Sequence, residues 1–394
     1  MKKITTWLGL ITASILLMSG CSQNVENSTN SAQEENTVIE ETVKTADEKI
    51  IETTNEKKDL DTDLLVESNE VESIEMSIEE RMAAVDLSKN PNELGKIMVL
   101  MYHHIAEPEA EWSRTPENFR SDLETLYNEG YRTISLNDYV NNNITIEAGF
   151  TPVVITFDDG NQNNFNILGM KDGKAEIDPN CAVAIMEKFK NEHPDFGNSA
   201  TFFLYGENPF GQDEYTDYKL NYLVDNGFEV GNHTQSHNDL KAAKNQNADK
   251  LQRAIGKQVN RLESRIEKED YKVNTIALPF GHRPKTDELV KYVEAGSFEG
   301  NEYENIAILN VGWDPYYSPV DLKFDASAIH RVRAGVIKVD NVGILDWIES
   351  FRKHPERKFI SDGEADIVTI PSKFQDKLDK EKVTGKALNI YESN

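Results

Sequence analysis

The alternation of strand-like and helix-like segments from Lys96 onward constrains this chain more than any other feature. Lys96–Tyr102, Val153–Phe157, Ala200–Leu204, Phe228–Gly231, Thr275–Leu278 and Ile306–Val311 are short, mostly apolar runs. Between them lie segments with helical spacing. One opens at Thr115-Pro116 and carries Phe119, Leu123 and Leu126 on one face; Cys181–Lys190, Tyr218–Asn226 and Ala248–Lys268 follow. Leu136–Val140 and Ile344–Phe351 read as further helices, and Tyr131–Ile134, Phe359–Ile360 and Asp366–Ile370 as strand fragments. Repeated strand–helix units imply an α/β fold with a parallel sheet, open or closed into a barrel. In either form the chemistry gathers at the C-terminal strand ends.

Two polar clusters fall just there. Thr156-Phe157-Asp158-Asp159-Gly160 follows one strand, and His233-Thr234-Gln235-Ser236-His237 follows another. One carboxylate with two imidazoles is a three-ligand set that leaves a divalent metal open positions for water and substrate. The second carboxylate, adjacent in sequence, is placed to act as a base. The combination points to a metal-dependent hydrolase.

The first ninety residues are a different material. Met1-Lys2-Lys3, an apolar stretch from Ile4 to Met18 and Ser19-Gly20-Cys21 describe a secretory signal rather than a membrane span. The segment resembles a bacterial lipobox. Residues 1–20 are therefore expected to be a lipoprotein signal peptide, and Cys21 the lipidated residue that anchors the chain to the membrane. The expected location is extracytoplasmic, on what composition suggests is a Gram-positive surface. With Cys21 lipidated, Cys181 has no disulfide partner. From Ser22 to about Glu80 there is no Gly, Pro or aromatic residue, and acidic side chains dominate. Residues 21–90 thus read as a disordered acidic tether with some helix near its end, and residues 91–394 as the catalytic domain. A net charge of −27 argues against nucleic acid as a partner, and nothing in the sequence identifies a protein partner.

Beyond the two clusters, Met101-Tyr102-His103-His104-Ile105 and Leu278-Pro279-Phe280-Gly281 complete a resemblance to the polysaccharide deacetylase family, also called the NodB-homology domain or carbohydrate esterase family 4. The resemblance implies a distorted (β/α)7 barrel and metal-dependent removal of acetyl groups from carbohydrate. The substrate is expected to be an N-acetylglucosamine-containing cell-surface polysaccharide, either peptidoglycan or poly-N-acetylglucosamine, with O-acetyl esters of xylan-like polymers as the alternative. By position it gives Asp159, His233 and His237 to one divalent ion, most readily zinc, with cobalt or nickel as substitutes. Asp158 would be the general base. Phe280 would offer its backbone N–H to an oxyanion, Trp313 would wall the acetyl methyl, and His330 would protonate the leaving amine. Thr234 and Ser236 would orient the imidazoles.

One position departs from the family pattern. Where an arginine usually steers the base aspartate, this chain has Ala277, and Arg283 is the nearby substitute. That departure keeps open a reading as an inactive carbohydrate-binding lipoprotein. His103 and His104 are expected to line the cleft, and His193 and His354 to lie in exposed loops. The segments 169–180 and 206–217 are expected to shape a groove for sugar rings.

Overall fold

The computed structural model describes residues 76–393. The expected signal peptide, Cys21 and the tether up to residue 75 lie outside the described residues. Eight strands form one parallel sheet: β1 (Met98–Tyr102), β2 (Tyr131–Thr133), β3 (Thr151–Phe157), β4 (Thr201–Leu204), β5 (Glu229–Asn232), β6 (Thr275–Ala277), β7 (Ala307–Leu309) and β8 (Val332–Arg333). Their order is β7-β6-β5-β4-β3-β1-β8, with β2 laid beside the start of β3. The curled sheet is stitched at one seam. Ile329 bridges Leu309 of β7, and three residues later Val332 pairs with Leu100 of β1. This is a distorted (β/α) barrel, as the resemblance implies, where the strand–helix alternation alone left an open sheet possible.

Both faces of the sheet are buried, which is why the strands read as continuous apolar runs. Ile97, Val99, Val154, Phe203, Ala277, Leu309 and Ile329 point inward, where Tyr139, Tyr316 and Phe359 join them. Met98, Leu100, Ile155, Phe202, Val230, Ile276, Ile308 and Val332 point outward against the helices. The helices on that side include α2 (Pro116–Asn128), α4 (Ala182–Glu192), α5 (Thr216–Asp225), α6 (Ala248–Glu263), α7 (Asp287–Glu294) and α8 (Ile344–Lys353), while α3 (Leu136–Val140) packs on the inner cluster. The inside is tight. At Gly231 an added Cβ would lie 2.5 Å from the Phe203 ring.

The folded part begins earlier than the boundary read at Pro91. Ser77 and Glu80 form a capping box for α1 (Ile78–Ala84), and Arg81 pairs with Glu364 at 2.6 Å and Asp366 at 3.2 Å. The last residues assigned to the tether are therefore part of the domain. At the other end, Ile367–Pro371 and Ala387–Tyr391 pair in parallel over a small core of Leu94, Val320, Val368, Ile370, Leu378 and Val383. Phe359–Ile360 is not a strand, and only the isolated bridge from Ile360 to Asn92 forms there.

Candidate metal and catalytic site

Strand parity brings the site together. Residues at inward positions at the C-terminal ends of β3 and β5 are Asp158 and His233, and both are buried. Asp159 then turns out of the strand with φ of 76°, and Thr234, His237 and Phe280 also adopt positive φ, at 63°, 48° and 61°. Left-handed backbone at four non-glycine residues of one site is strain that the surrounding fold must enforce.

Asp159, His233 and His237 present ligand atoms within 4.8 Å of one another. Asp159 Oδ1 lies 3.5 Å from Nε2 of both histidines. Two donors at zinc bond lengths in tetrahedral geometry stand about 3.4 Å apart, so the trio fits one small divalent ion. His233 is set for this role, because its Nδ1–H donates to the Ala277 carbonyl at 2.8 Å and turns Nε2 toward Asp159. Ala277, which lacks the expected guanidinium, thus contributes its backbone oxygen. Burial and the neighbouring His233 lower the pKa of His237. Burial alone would raise that of Asp159, but the His233 hydrogen bond and charge bring it below the usual carboxylate range.

The guanidinium that steers Asp158 comes from Arg331, which is wholly buried inside the barrel seam. Its Nη1 and Nη2 meet Asp158 Oδ1 and Oδ2 at 2.7 and 2.8 Å. Nη1 also donates to Thr156 Oγ1, and Nε to the Asn310 carbonyl. Burial would raise the Asp158 pKa, but the charge of Arg331, joined by His233 and by the Arg331 hydrogen bonds, holds the carboxyl far below the usual range. Arg283 does not reach Asp158. It binds Asn310 Oδ1 and the Ser327 carbonyl instead.

The same parity separates His330 from the site. Ile329 and Arg331 point inward or are buried in the seam, whereas His330 between them is exposed. There its Nδ1 binds Asp314 Oδ1 at 2.8 Å and its ring packs near Tyr316. The imidazole that faces the base is His103, with Nε2 3.9 Å from Asp158 Oδ2. Its ring lies 4.7 Å from the Trp112 ring, and burial drives its pKa down to about 4, so it is neutral at physiological pH. His104 turns aside to accept from Asn163 Nδ2 at 3.1 Å.

Aromatic rings flank the histidines. Tyr205 stands 5.5 Å and Phe280 4.6 Å from the His237 ring, and Phe280 is 57% exposed. Gly281 and His282 donate their N–H groups to Leu278 and Pro279, whereas among the described residues none accepts from the Phe280 N–H. Trp313 is exposed, and its carbonyl accepts from the Trp347 indole. Thr234 braces backbone rather than an imidazole, its Oγ1 accepting from Asn238 N at 2.7 Å. The Ser236 N–H likewise goes to Asn238 Oδ1. His354 is exposed in a loop beside Glu356, as expected, whereas His193, beside Glu124, is half-buried against the Tyr127 and Phe189 rings.

The residues that local reasoning missed are Arg331 and, as the partner of the base, His103. The one available signal for Arg331 was its place two residues after an inward Ile329.

Residues 146–295 match the family model described as polysaccharide deacetylase. Solved structures similar to this chain include BC0361, a polysaccharide deacetylase from Bacillus cereus, at 21% identity. That likeness covers 65% of this chain and 69% of that one, with a TM-score of 0.48. BA0330 from Bacillus anthracis is 22% identical over 61% of this chain, at a TM-score of 0.45, and the match spans 65% of its length. The Streptococcus pyogenes deacetylase PplD, solved in complex with acetate, is 19% identical over 61% of this chain and 92% of its own, at 0.45. No curated protein matches the chain. The match to the polysaccharide deacetylase family model runs through Asp158, Asp159, His233 and His237, so residues 146–295 are similar to that family across the candidate site.

Proposed function

We propose that this chain is a metal-dependent hydrolase that removes acetyl groups from an N-acetylglucosamine-containing cell-surface polysaccharide, either peptidoglycan or poly-N-acetylglucosamine. The observation that carries the reading is the pairing of two arrangements. A carboxylate kept ionised by Arg331 lies directly beside a trio spaced for one divalent ion.

A divalent ion held by Asp159, His233 and His237, zinc by preference, would supply Lewis acidity, polarising an acetyl carbonyl and lowering the pKa of water to about 7. The chain's own residues do the rest. Arg331 takes one lone pair from each Asp158 oxygen, and Oδ2 keeps a second with which to accept a proton from the attacking water. His103, uncharged at rest and facing that same oxygen, relays the proton to the leaving nitrogen. The Phe280 N–H donates to the oxyanion, and the Tyr205 and Phe280 rings offer apolar faces to the sugar. The reading as an inactive binder rested on Ala277, and Arg331 removes that motive. Residues 1–22 further support export and lipid anchoring through Cys21, which would hold the domain at the outer membrane surface.

Acetate release tests the reading. The protein from Ser22 onward is assayed on N-acetylglucosamine oligomers and, separately, on acetylated xylan, with zinc or cobalt added. Release from the amide substrate, lost in Asp159→Ala and His233→Ala, supports the proposal. Release from xylan alone replaces it with the O-esterase reading, and no release with no bound metal overturns both.

A further inference from the structure

A buried lysine stands behind the metal-binding turn. Lys219 of α5 is fully buried, and its Nζ donates to the Phe210 carbonyl at 3.1 Å and to Gln212 Oε1 at 2.7 Å. The Phe165 and Phe210 ring centroids lie 5.7 and 5.8 Å away. These partners are two neutral oxygens and two ring faces. An ammonium taken out of water without a counter-charge is costly, so its retention calls for a local reason.

The reason lies in what those oxygens belong to. Phe210 has φ of 65°, and its N–H donates to the Gly160 carbonyl at 2.7 Å. Gly160 directly follows the metal-site residue Asp159 and has φ of 63°. An added Cβ there would lie 2.9 Å from Leu204 and 3.4 Å from Pro209, so the turn leans on the 206–212 loop. Gln212 grips the far end of the same segment, accepting from Ile167 N at 2.9 Å and donating to Ile167 O at 2.7 Å. One ammonium therefore ties both arms of the loop to the chain leaving Asp159.

We propose that Lys219 is a positioning residue for the Asp159–Gly160 turn, its ammonium holding the 206–212 loop so that the Asp159 carboxylate stays in register with His233 and His237. This rests on the reading of that trio as a metal site. Burial lowers the Lys219 pKa to about 8, against the raising effect of the Cys181 thiol on α4 and the Glu214 carboxylate in the turn before α5. Tyr222, on the same helix, is occupied by Glu187. Above that pH the neutral amine keeps two N–H groups but loses charge assistance, about half the strength of each bond.

Two readouts on the full chain test this in wild type, Lys219→Met and Lys219→Arg. The first is amide exchange of Phe210 without metal, corrected for intrinsic rates. The second is Co(II) affinity between about pH 7 and 9.5. In a folded K219M variant, Phe210 exchange is expected to rise about tenfold and Co(II) affinity to fall about tenfold at pH 7. The gap from wild type should close by about pH 9.5, while K219R stays tight at that pH. Unchanged exchange and affinity in folded K219M, or a gap that ignores pH, overturns the proposal. If K219M does not fold, equal Co(II) affinities for wild type and K219R at about pH 9.5 overturn it. If wild type binds no Co(II), the metal reading fails by itself, and unchanged Phe210 exchange in folded K219M or in K219R then overturns the role of Lys219.

Discussion

Arg331 holds both oxygens of Asp158 from inside the barrel, at 2.7 and 2.8 Å, across 173 residues of chain. Truncating one partner of such a buried pair leaves the other charge stranded, at about 3–5 kcal/mol. Arg331→Leu is expected to lower unfolding stability by that order, measured by denaturant titration. The Asp158 carboxyl is depressed in the folded state, so its contribution is present above the unfolded pKa and is lost as pH falls through the folded one. The stability deficit of R331L should therefore shrink in acid. Deacetylation should fall with it, because Asp158 loses the group that orients it.

The two histidines offered for proton transfer can be told apart kinetically. Loss of a positioned proton donor or acceptor costs about 10²–10⁴-fold in rate. His103→Ala is expected to lower kcat by that order. His330→Ala, exposed and bound to Asp314, should stay within a few-fold of wild type. The measurement is kcat on one oligomer across pH for both variants.

Metal removal has a stability signature independent of substrate. A ligand at a hundred times its Kd stabilises the folded state by about 2.7 kcal/mol. Chelation should lower Tm and added zinc restore it in the wild type. His233→Ala, lacking the ligand that Ala277 orients, should show no response to either.

How much could be read from sequence follows from how local each feature is. Asp158, Asp159, His233 and His237 were legible because each lies at or just after the end of an apolar strand, where motif and strand share one short window. Arg331 was not, since its role depends on the seam register, set by a closing strand only two residues long. One residue before Arg331, His330 is exposed beside Asp314 instead of turned toward Asp158, a difference that one step of chain register decides. The Ala295–Phe298 and Asn301–Glu304 hairpin was missed because Tyr303 alone is buried there, too little apolar pattern to mark a strand.

A buried acidic pair away from the site gives a separate pH prediction. Glu93 accepts from Thr369 N and Asp362 N, while Asp362 binds the Thr369 hydroxyl. Burial, joined at Glu93 by repulsion from Asp362, pushes both carboxyls above the usual range. A raised folded pKa gives stability that is full below the unfolded value, about 4, and is lost as pH rises through the folded one. Between about pH 4 and 7 the stability of Glu93→Gln should therefore decline less than that of wild type, by urea denaturation at matched pH values.

Closure at residues 329–333 also makes competence a matter of timing. The strand that seals the barrel, with Arg331 just before it, is synthesised after every other strand of the main sheet. Pairings between such distant segments are slow to form. A nascent chain, or one ended before the seam, already holds Asp158, Asp159, His233 and His237 but has nothing to orient the base. Orientation of Asp158 and closure of the barrel become a single late event, so a molecule that has not closed lacks the oriented carboxylate.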